Sequence, residues 1–366
     1  MVKISHRERV NLALKNQNTD YVPMDFSAEP EVWEKLQKFF KVETPFQVLE
    51  KLDVDCRIIS YDWQVFCRPE KRSSEEISNP HSRWKHWISD DVFEDVWGAR
   101  RKLLSNEFGV HECLFGYKLA DAKSIEDLQK YNWPKPGWWN FDCLDKVLDK
   151  INPNQEYHLR YRIGSIFETA WSLRGLDNML MDLAVNPNLA CYIMDRITEV
   201  HLENLRTVLD KAADKIDMVY SYDDLAQQNS TLMSRDMWMS TIALRQKKLF
   251  DLATKYNKPV MYHTCGDIKT LIKDLSEIGV DLLNPVQTSA LKMNFRQIKN
   301  EYGQMVAFHG GIDIQQLLPN GSLDQVKSEI ALAKQYLGRD GGYILAPTHH
   351  IQADTPLENI LAIYEM

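Results

Sequence analysis

The sequence predicts an α/β protein in which eight parallel strands alternate with helices and close into a (β/α)8 TIM barrel. Two observations favour this architecture. From residue 157 onward, short apolar segments alternate with longer segments whose apolar residues recur at helical spacing. Polar residues suited to chemistry follow most of the predicted strands. A doubly wound open sheet is the alternative, but no GxGxxG motif follows any strand.

Two strands are predicted in the N-terminal part of the chain. A short helix begins near Ser5, and residues 22–26 form the first strand. A helical segment spans 31–52, with Pro45 starting its second half, and residues 54–59 form the second strand. The other predicted strands are 157–163, 217–222, 259–263, 281–286, 305–309 and 342–346.

Residues 61–153 interrupt this alternation. They hold seven of the ten tryptophans, mixed with charged and turn-forming residues. The segment 95–102 predicts a twisted hairpin. We interpret 61–153 as a Trp-rich insertion after the second strand that packs over one end of the barrel, within a single domain spanning 1–366. An aromatic satellite core without ligand contact is an equally good interpretation.

Composition limits the classes of partner. The net charge of −8, without a basic cluster, argues against nucleic acid. No apolar run reaches the roughly 18 residues that a membrane span needs, and no N-terminal signal segment is evident. The six cysteines are scattered without a CxxC pair, which suits a reducing compartment. We therefore expect a cytoplasmic protein with a small-molecule substrate; a homodimer is compatible with the sequence.

His263 and Cys265 lie at the end of a predicted strand, in the run VMYHTCG. Residues two apart in a strand face the same side, so imidazole and thiolate can converge, a pairing that zinc favours. Such an HxC arises by chance in about one chain in six of this composition, so the motif alone is weak. A third candidate ligand, His349, follows the last strand. The alternative is a buried histidine beside an inert thiol.

Other polar residues follow the strands, at the end where barrels place their active sites. Glu168, Asp224 and Gln287 are predicted to be catalytic, in contact with the substrate or supporting the metal ligands. Asp224 and its neighbour Asp223 would alternatively be a helix-capping pair. His309 and Asp313 are predicted to bind a cofactor, although a structural role is as good an interpretation of His309.

Several motifs resemble the uroporphyrinogen decarboxylase-like superfamily, namely HTCG, EIGVDLLNPVQ, FHGGIDIQQLLP and GGYILAPTHHIQADTPLENILAIYE. The resemblance extends over nearly the whole chain. It is closest to the corrinoid-dependent branch that includes the methylcobamide:coenzyme M methyltransferases. This implies a barrel with its active site at the strand C-termini. The MRQAGR-type motif of true uroporphyrinogen decarboxylases is missing, so decarboxylation is the poorer interpretation.

The resemblance also implies a metal and a cofactor. In that branch, zinc is held by a His, a Cys and a later Cys before a TP pair. His263 and Cys265 match the first two, whereas counting back from Thr355-Pro356 puts His349 at the third position. The implied reaction is methyl transfer between a methylated small molecule and a corrinoid (cobalamin). Because no DxHxxG string occurs, the corrinoid would come free or on a corrinoid protein.

The exchange of cysteine for histidine changes the charge of the site. Zinc with two thiolates is formally neutral, whereas His-Cys-His leaves a net positive charge that favours an oxygen ligand. We therefore expect an O-demethylase that takes the methyl group of a methoxy compound. The alternatives are a methylcobamide:thiol methyltransferase, a uroporphyrinogen-type decarboxylase, and a barrel that binds a corrinoid or its carrier without catalysis.

Overall fold

The structure, a computed structural model, describes residues 4–67, 82–106 and 109–365. Its strands are β1 (Cys56–Ser60), β2 (His86–Trp87), β3 (Val92–Glu94), β4 (Arg100–Asn106), β5 (Gly109–Leu114), β6 (His158–Gly164), β7 (Met218–Tyr222), β8 (Val260–His263), β9 (Leu282–Val286), β10 (Ala307–Ile312) and β11 (Tyr343–Pro347).

Helices occupy the segments between these strands. They are His6–Leu14, Pro30–Phe40, Pro45–Lys51, Ile125–Gln129, Leu144–Ile151, Phe167–Arg174, Leu176–Val185, Pro187–Ala212, Arg235–Trp238, Leu244–Lys255, Ile272–Glu277, Thr288–Leu291, Phe295–Tyr302, Leu317–Asn320, Leu323–Tyr336 and Leu357–Ile363. A π-helical turn, Met239–Ala243, precedes Leu244–Lys255. None of the described helices combines the length and the apolar character that crossing a bilayer requires.

Seven strands form one parallel sheet in the order β1-β6-β7-β8-β9-β10-β11. Strands β9 and β11 are buried at every position, as expected of parallel strands whose faces are both covered. The sheet follows chain order, and each crossover from β6 onward contains at least one helix. The predicted α/β architecture with a parallel sheet is therefore confirmed.

The predicted first strand is present only as isolated bridges around Met24. The Leu345 N–H donates to the Pro23 carbonyl at 2.8 Å, and the Asp25 N–H donates to the Leu345 carbonyl at 2.9 Å. On the other side, the Asp55 N–H donates to the Met24 carbonyl at 2.9 Å. This segment thus contacts both edges of the seven-stranded sheet. Pro23 has no N–H to donate, which limits its pairing.

Strand β10 is longer than predicted. The prediction ended it at His309, but Gly310 and Gly311 continue the ladder opposite Leu345 and Ala346 of β11. Both glycines have positive φ, 106° and 98°, which a side chain would disfavour. His309 consequently lies inside the strand and is buried, rather than at the strand end.

Residues between β1 and β6 form a separate four-stranded antiparallel sheet, β2-β3-β4-β5. The predicted hairpin is confirmed, because Glu94 of β3 pairs with Arg100 of β4. The Trp139 indole N–H donates to the Tyr61 carbonyl at 2.9 Å, which fastens this region to the residue that follows β1. The interpretation of 61–153 as an insertion stays a prediction.

A buried charge network fixes the first helix against the sheet. The Arg9 guanidinium donates to Asp55 at 2.5 Å and to Asp20 at 2.7 Å. Arg9 and Asp55 are 1% and 0% exposed, so this ion pair is fully desolvated. Asp55 Oδ2 also accepts the Met24 N–H at 2.7 Å, which ties the Met24 segment to the same network.

Candidate metal centre

Three side chains with metal-binding atoms converge where β8 and β11 end. The ligand atoms of His263, Cys265 and His349 all lie within 4.8 Å of one another. Cys265 Sγ is 3.4 Å from His263 Nε2, and the rings of His263 and His349 have centroids 5.5 Å apart. The structure therefore brings together the three residues that the sequence predicts as metal ligands.

The loop after β8 is held by hydrogen bonds from its neighbours. The Cys265 N–H donates to Asp224 Oδ1 at 2.8 Å, and the Gly266 N–H donates to Gln287 Oε1 at 2.8 Å. Gly266 has a φ of +96°, and a Cβ there would come within 2.5 Å of the Gln227 carbonyl. Only glycine fits at this position, and the resulting turn aims Cys265 back towards His263.

The hydrogen bonding of His263 suits a metal ligand. Its Nδ1 lies 2.5 Å from Asn284 Oδ1, an acceptor, so Nδ1 carries the proton and the lone pair of Nε2 faces Cys265. Burial lowers the pKa of His263, which keeps the imidazole neutral. Metal-binding histidines ordinarily show this arrangement, with the second nitrogen donating to an oxygen.

The thiol also fits a cation. Burial raises the pKa of Cys265, and the carboxylates of Asp224 and Glu168 raise it further. A divalent cation would offset both effects and favour the thiolate. Two imidazoles and one thiolate match the three-ligand pattern of catalytic zinc sites. The donor set present here therefore fits zinc.

Glu168 and Asp224 are joined by a hydrogen bond next to this loop. Glu168 Oε1 accepts the Asp224 N–H at 2.8 Å. Burial raises the pKa of Glu168 to about 8, with contributions from the negative charges of Asp224 and Asp223. Glu168 therefore holds a proton at neutral pH. Asp223 accepts the N–H groups of Ile166 and Glu168, which makes it the capping residue of the Phe167–Arg174 helix.

A cavity of about 170 Å³ lies between the antiparallel sheet and the parallel sheet. Its wall is largely aromatic. Glu168, which accepts the Asp224 N–H, is also part of the wall. The aromatic residues that line it are Tyr61, Trp84, Phe93, Trp97, Trp171 and Tyr222. Four of these, Tyr61, Trp84, Phe93 and Trp97, lie in the Trp-rich segment 61–153.

Neither of the two residues predicted to bind a cofactor is among the three converging side chains. His309 is 5% exposed, and its Nδ1 and Nε2 lie 2.6 Å from Asn284 Nδ2 and 2.8 Å from Asp25 Oδ2. Asp313 Oδ1 accepts the N–H groups of Gln315 and Gln316 at 2.7 Å, so its carboxylate stabilises a turn. Contact of either residue with a cofactor stays a prediction.

Sequence reasoning assigned no site role to three polar residues beneath the centre, of which Asn284 and Arg160 are buried. Asn284 and Asp25 contact His263 or His309, and Arg160 forms an ion pair with Asp25. A polar side chain inside a buried parallel strand could have indicated two of them, namely Asn284 in LLNPV and Arg160 in HLRYRIG. Such residues are rarely buried without a partner.

Comparison with known proteins gives the family. A sequence profile described as Uroporphyrinogen decarboxylase (URO-D) matches residues 118–366, more than half of the chain. The chain belongs to the URO-D family. The predicted superfamily is thereby confirmed, and the matched region of this URO-D protein includes all three candidate ligands. No curated protein sequence matches the chain.

One solved structure shares the fold over nearly the whole chain. A methyltransferase from Methanosarcina mazei is 17% identical, with 99% of this chain and 97% of that one aligned at a TM-score of 0.67. A GH113 β-1,4-mannanase is 10% identical over 94% of this chain and 99% of its own, at a TM-score of 0.42. The first likeness shows that the URO-D protein shares the methyltransferase fold over its full length. The second is too weak to support a comparison.

Proposed function

We propose that this URO-D protein is a zinc-dependent methyltransferase that takes the methyl group of a methoxy compound and passes it to a reduced corrinoid. The observation that carries the proposal is the convergence of His263, Cys265 and His349 within 4.8 Å at the strand ends. The full-length likeness to a methyltransferase fold supports the same reaction class. The corrinoid would be supplied free or by a corrinoid protein.

His263, Cys265 and His349 are the residues that would hold the zinc ion. Bound there, zinc acts as a Lewis acid and lowers the pKa of an oxygen or sulfur ligand. With a single thiolate, the centre keeps a positive charge, which favours oxygen over a nucleophilic thiolate. This charge is the reason to prefer O-demethylation over methylation of a thiol.

The cavity suits an aromatic methyl ether. Six aromatic side chains line it, and offset stacking or edge-to-face contact with such rings stabilises a flat aromatic ligand by about 0.5–1.5 kcal/mol for each ring pair. Trp97 and Tyr61 are each 3% exposed and fixed to one another, so this part of the wall is rigid. Rigid walls orient a substrate at low entropic cost.

Glu168 is positioned to supply a proton. It lines the cavity, and its Oε1 is fixed by the Asp224 N–H. When the methyl–oxygen bond breaks, the methyl group goes to the corrinoid acceptor and the oxygen takes the Glu168 proton. The product is then a neutral alcohol or phenol. General acids contribute about 10²–10⁴-fold to a rate.

An assay with defined donors tests the proposal. Purified protein is incubated with methoxylated aromatic compounds and a reduced corrinoid or corrinoid protein, and methyl-corrinoid formation is followed by absorbance. We expect turnover with a methoxy donor and about one zinc ion per chain. Methylation of a thiol without any demethylation would overturn the O-demethylase assignment. Retention of zinc in both His263→Ala and Cys265→Ala would overturn the metal centre.

A further inference from the structure

A continuous chain of hydrogen bonds runs from the candidate metal centre into the interior of the parallel sheet. His263 ends β8, and Asn284 is its Cα partner on β9. His309 follows on β10, and Asp25 lies on the Met24 segment beside β11. The four side chains therefore come from β8, β9, β10 and the Met24 segment, and the distances between successive partners are 2.5, 2.6 and 2.8 Å.

The chemistry of Asn284 fixes the direction of each hydrogen bond. Its Oδ1 can only accept, so His263 donates from Nδ1; its Nδ2 can only donate, so His309 accepts at Nδ1. His309 must then carry its proton on Nε2, which faces the Asp25 carboxylate at 2.8 Å. The reverse orientation of the amide would place the proton of His263 on Nε2, where it would block metal binding.

Asp25 terminates this chain with a fixed negative charge. Burial alone would raise the pKa of Asp25, but the Arg160 guanidinium and the His309 hydrogen bond hold it below its ordinary value. Arg160 Nη1 also lies 3.4 Å from His309 Nε2, but the carboxylate is closer and accepts the N–H. A carboxylate accepts only, which selects one tautomer of His309 and, through it, one orientation of Asn284.

We propose that Asn284 is a positioning residue that holds His263 in the tautomer able to bind a metal, and that Asp25 and His309 set the orientation of the Asn284 amide. The proposal rests on the zinc site described above. Asn284 is 6% exposed and His309 is 5% exposed, so water does not substitute for these contacts. Partners of this kind ordinarily change metal affinity about 10–100-fold when removed.

The tautomers are measurable without any metal. Ring nitrogen chemical shifts of ¹⁵N-histidine-labelled, metal-free protein distinguish Nδ1–H from Nε2–H, and His263→Gln and His309→Gln assign the signals. We expect His263 to be protonated on Nδ1 and His309 on Nε2. An Nε2–H tautomer at His263 in the unaltered protein would overturn the proposal. This result is independent of the proposed function.

Zinc affinity, measured by competition with a chelator, tests the consequence. Asn284→Ala should weaken zinc binding about 10–100-fold, whereas Asn284→Asp keeps an acceptor for His263 and should bind more tightly than Asn284→Ala. The matched control is Asn359→Ala, which removes an equally buried amide that donates to Leu318 and Gly321 carbonyls. Unchanged zinc affinity in Asn284→Ala would contradict the proposal. If that variant does not fold, the zinc affinity of Asn284→Asp and the tautomer of His263 in the unaltered protein decide.

The absence of zinc binding by the unaltered protein would instead contradict the proposed function. The tautomer measurement would then still decide whether Asn284 orients His263. Co²⁺ offers a second readout, because its absorption bands report ligand geometry. Asn284→Ala should alter those bands, and Asn359→Ala should not.

Discussion

The Trp97 indole N–H donates to the Tyr61 hydroxyl at 2.8 Å, and both side chains are 3% exposed. Tyr61 follows β1, whereas Trp97 belongs to the turn between β3 and β4. This bond is therefore one of the contacts that join the antiparallel region to the parallel sheet, and it lies in the wall of the aromatic cavity. Both rings also contact His201, with centroids 5.0 Å and 5.2 Å away.

Tyr61→Phe should lower the free energy of unfolding by about 1–3 kcal/mol, because it leaves the buried Trp97 N–H without its acceptor. It should raise KM for a methoxy donor and leave the zinc content unchanged. Tyr256→Phe is the control, since its hydroxyl bonds Asp210 at the surface. Chemical denaturation and steady-state kinetics measure both effects; equal losses in the two variants would refute the argument.

Arg9→Met should be among the most destabilising single substitutions. It removes the guanidinium from Asp55, which is 0% exposed and keeps its contacts with the His6 imidazole and the Met24 N–H; breaking a buried pair in this way costs about 3–5 kcal/mol. Lys247→Met breaks a surface pair with Asp251 and should change stability by less than about 1 kcal/mol. Urea unfolding compares them. A similar small loss in both variants would show that the buried pair contributes little.

His201 makes stability depend on pH. Burial lowers its pKa to about 4, whereas an unfolded histidine has a pKa near 6.5. Between these values only the unfolded chain binds the proton, so the stability contribution of His201 declines as pH falls from about 6.5 to 4, by about 3 kcal/mol. His201→Gln can still donate to the Ser165 carbonyl. Its free energy of unfolding should therefore depend less on pH between about 4 and 6.5 than that of the unaltered protein. Identical slopes would exclude His201 as the source.

Glu168→Gln should keep substrate binding and lose turnover. The amide oxygen can still accept the Asp224 N–H, but it has no proton to transfer, so kcat should fall about 10²–10⁴-fold with little change in KM. Because burial raises the pKa of Glu168 to about 8, the wild-type rate should decline above that pH. Asp95→Asn, a second cavity carboxyl, is the control. A loss confined to KM would assign Glu168 to binding instead.

His349→Cys should change the preferred reaction. A second thiolate neutralises the centre, so zinc binding should persist while transfer from methoxy donors falls and methylation of added thiols rises. His350→Cys places a thiol one residue away as a control. Elemental analysis and paired donor and acceptor assays measure the outcome. Unaltered donor preference in a zinc-replete His349→Cys protein would refute the charge argument.

The convergence of the three candidate ligands was predictable because each lies at or just after the C-terminal end of a strand, and parallel strands gather these ends at one side. The large separation of His263 and His349 along the chain therefore did not prevent the prediction that they converge. The contribution of Asn284 was not predictable, since it depends on the register between β8 and β9 and on the orientation of one amide. Neither property has a signal in a single sequence.

The end of β10 was predicted three residues too early, at His309 instead of Ile312, because Gly310-Gly311 is typical of a loop. In the structure the pairing with β11 continues through both glycines, and His309 becomes part of the interior. For the aromatic cavity, the sequence predicted the segment rich in aromatic residues but not the position of the cavity. The tryptophan count indicated an aromatic cluster over one end of the barrel, but which rings face the parallel sheet depends on the pairing of β2 to β5, which the sequence did not determine.

Half of the aromatic side chains in the cavity wall come from a different part of the chain than the candidate ligands. Trp84, Phe93 and Trp97 belong to the antiparallel region, whereas His263, Cys265 and His349 belong to the parallel sheet. This half of the wall can therefore change in sequence without altering the three candidate ligands. Grafting residues 82–114 from a relative is a direct route to a changed donor range with the same ligand triad.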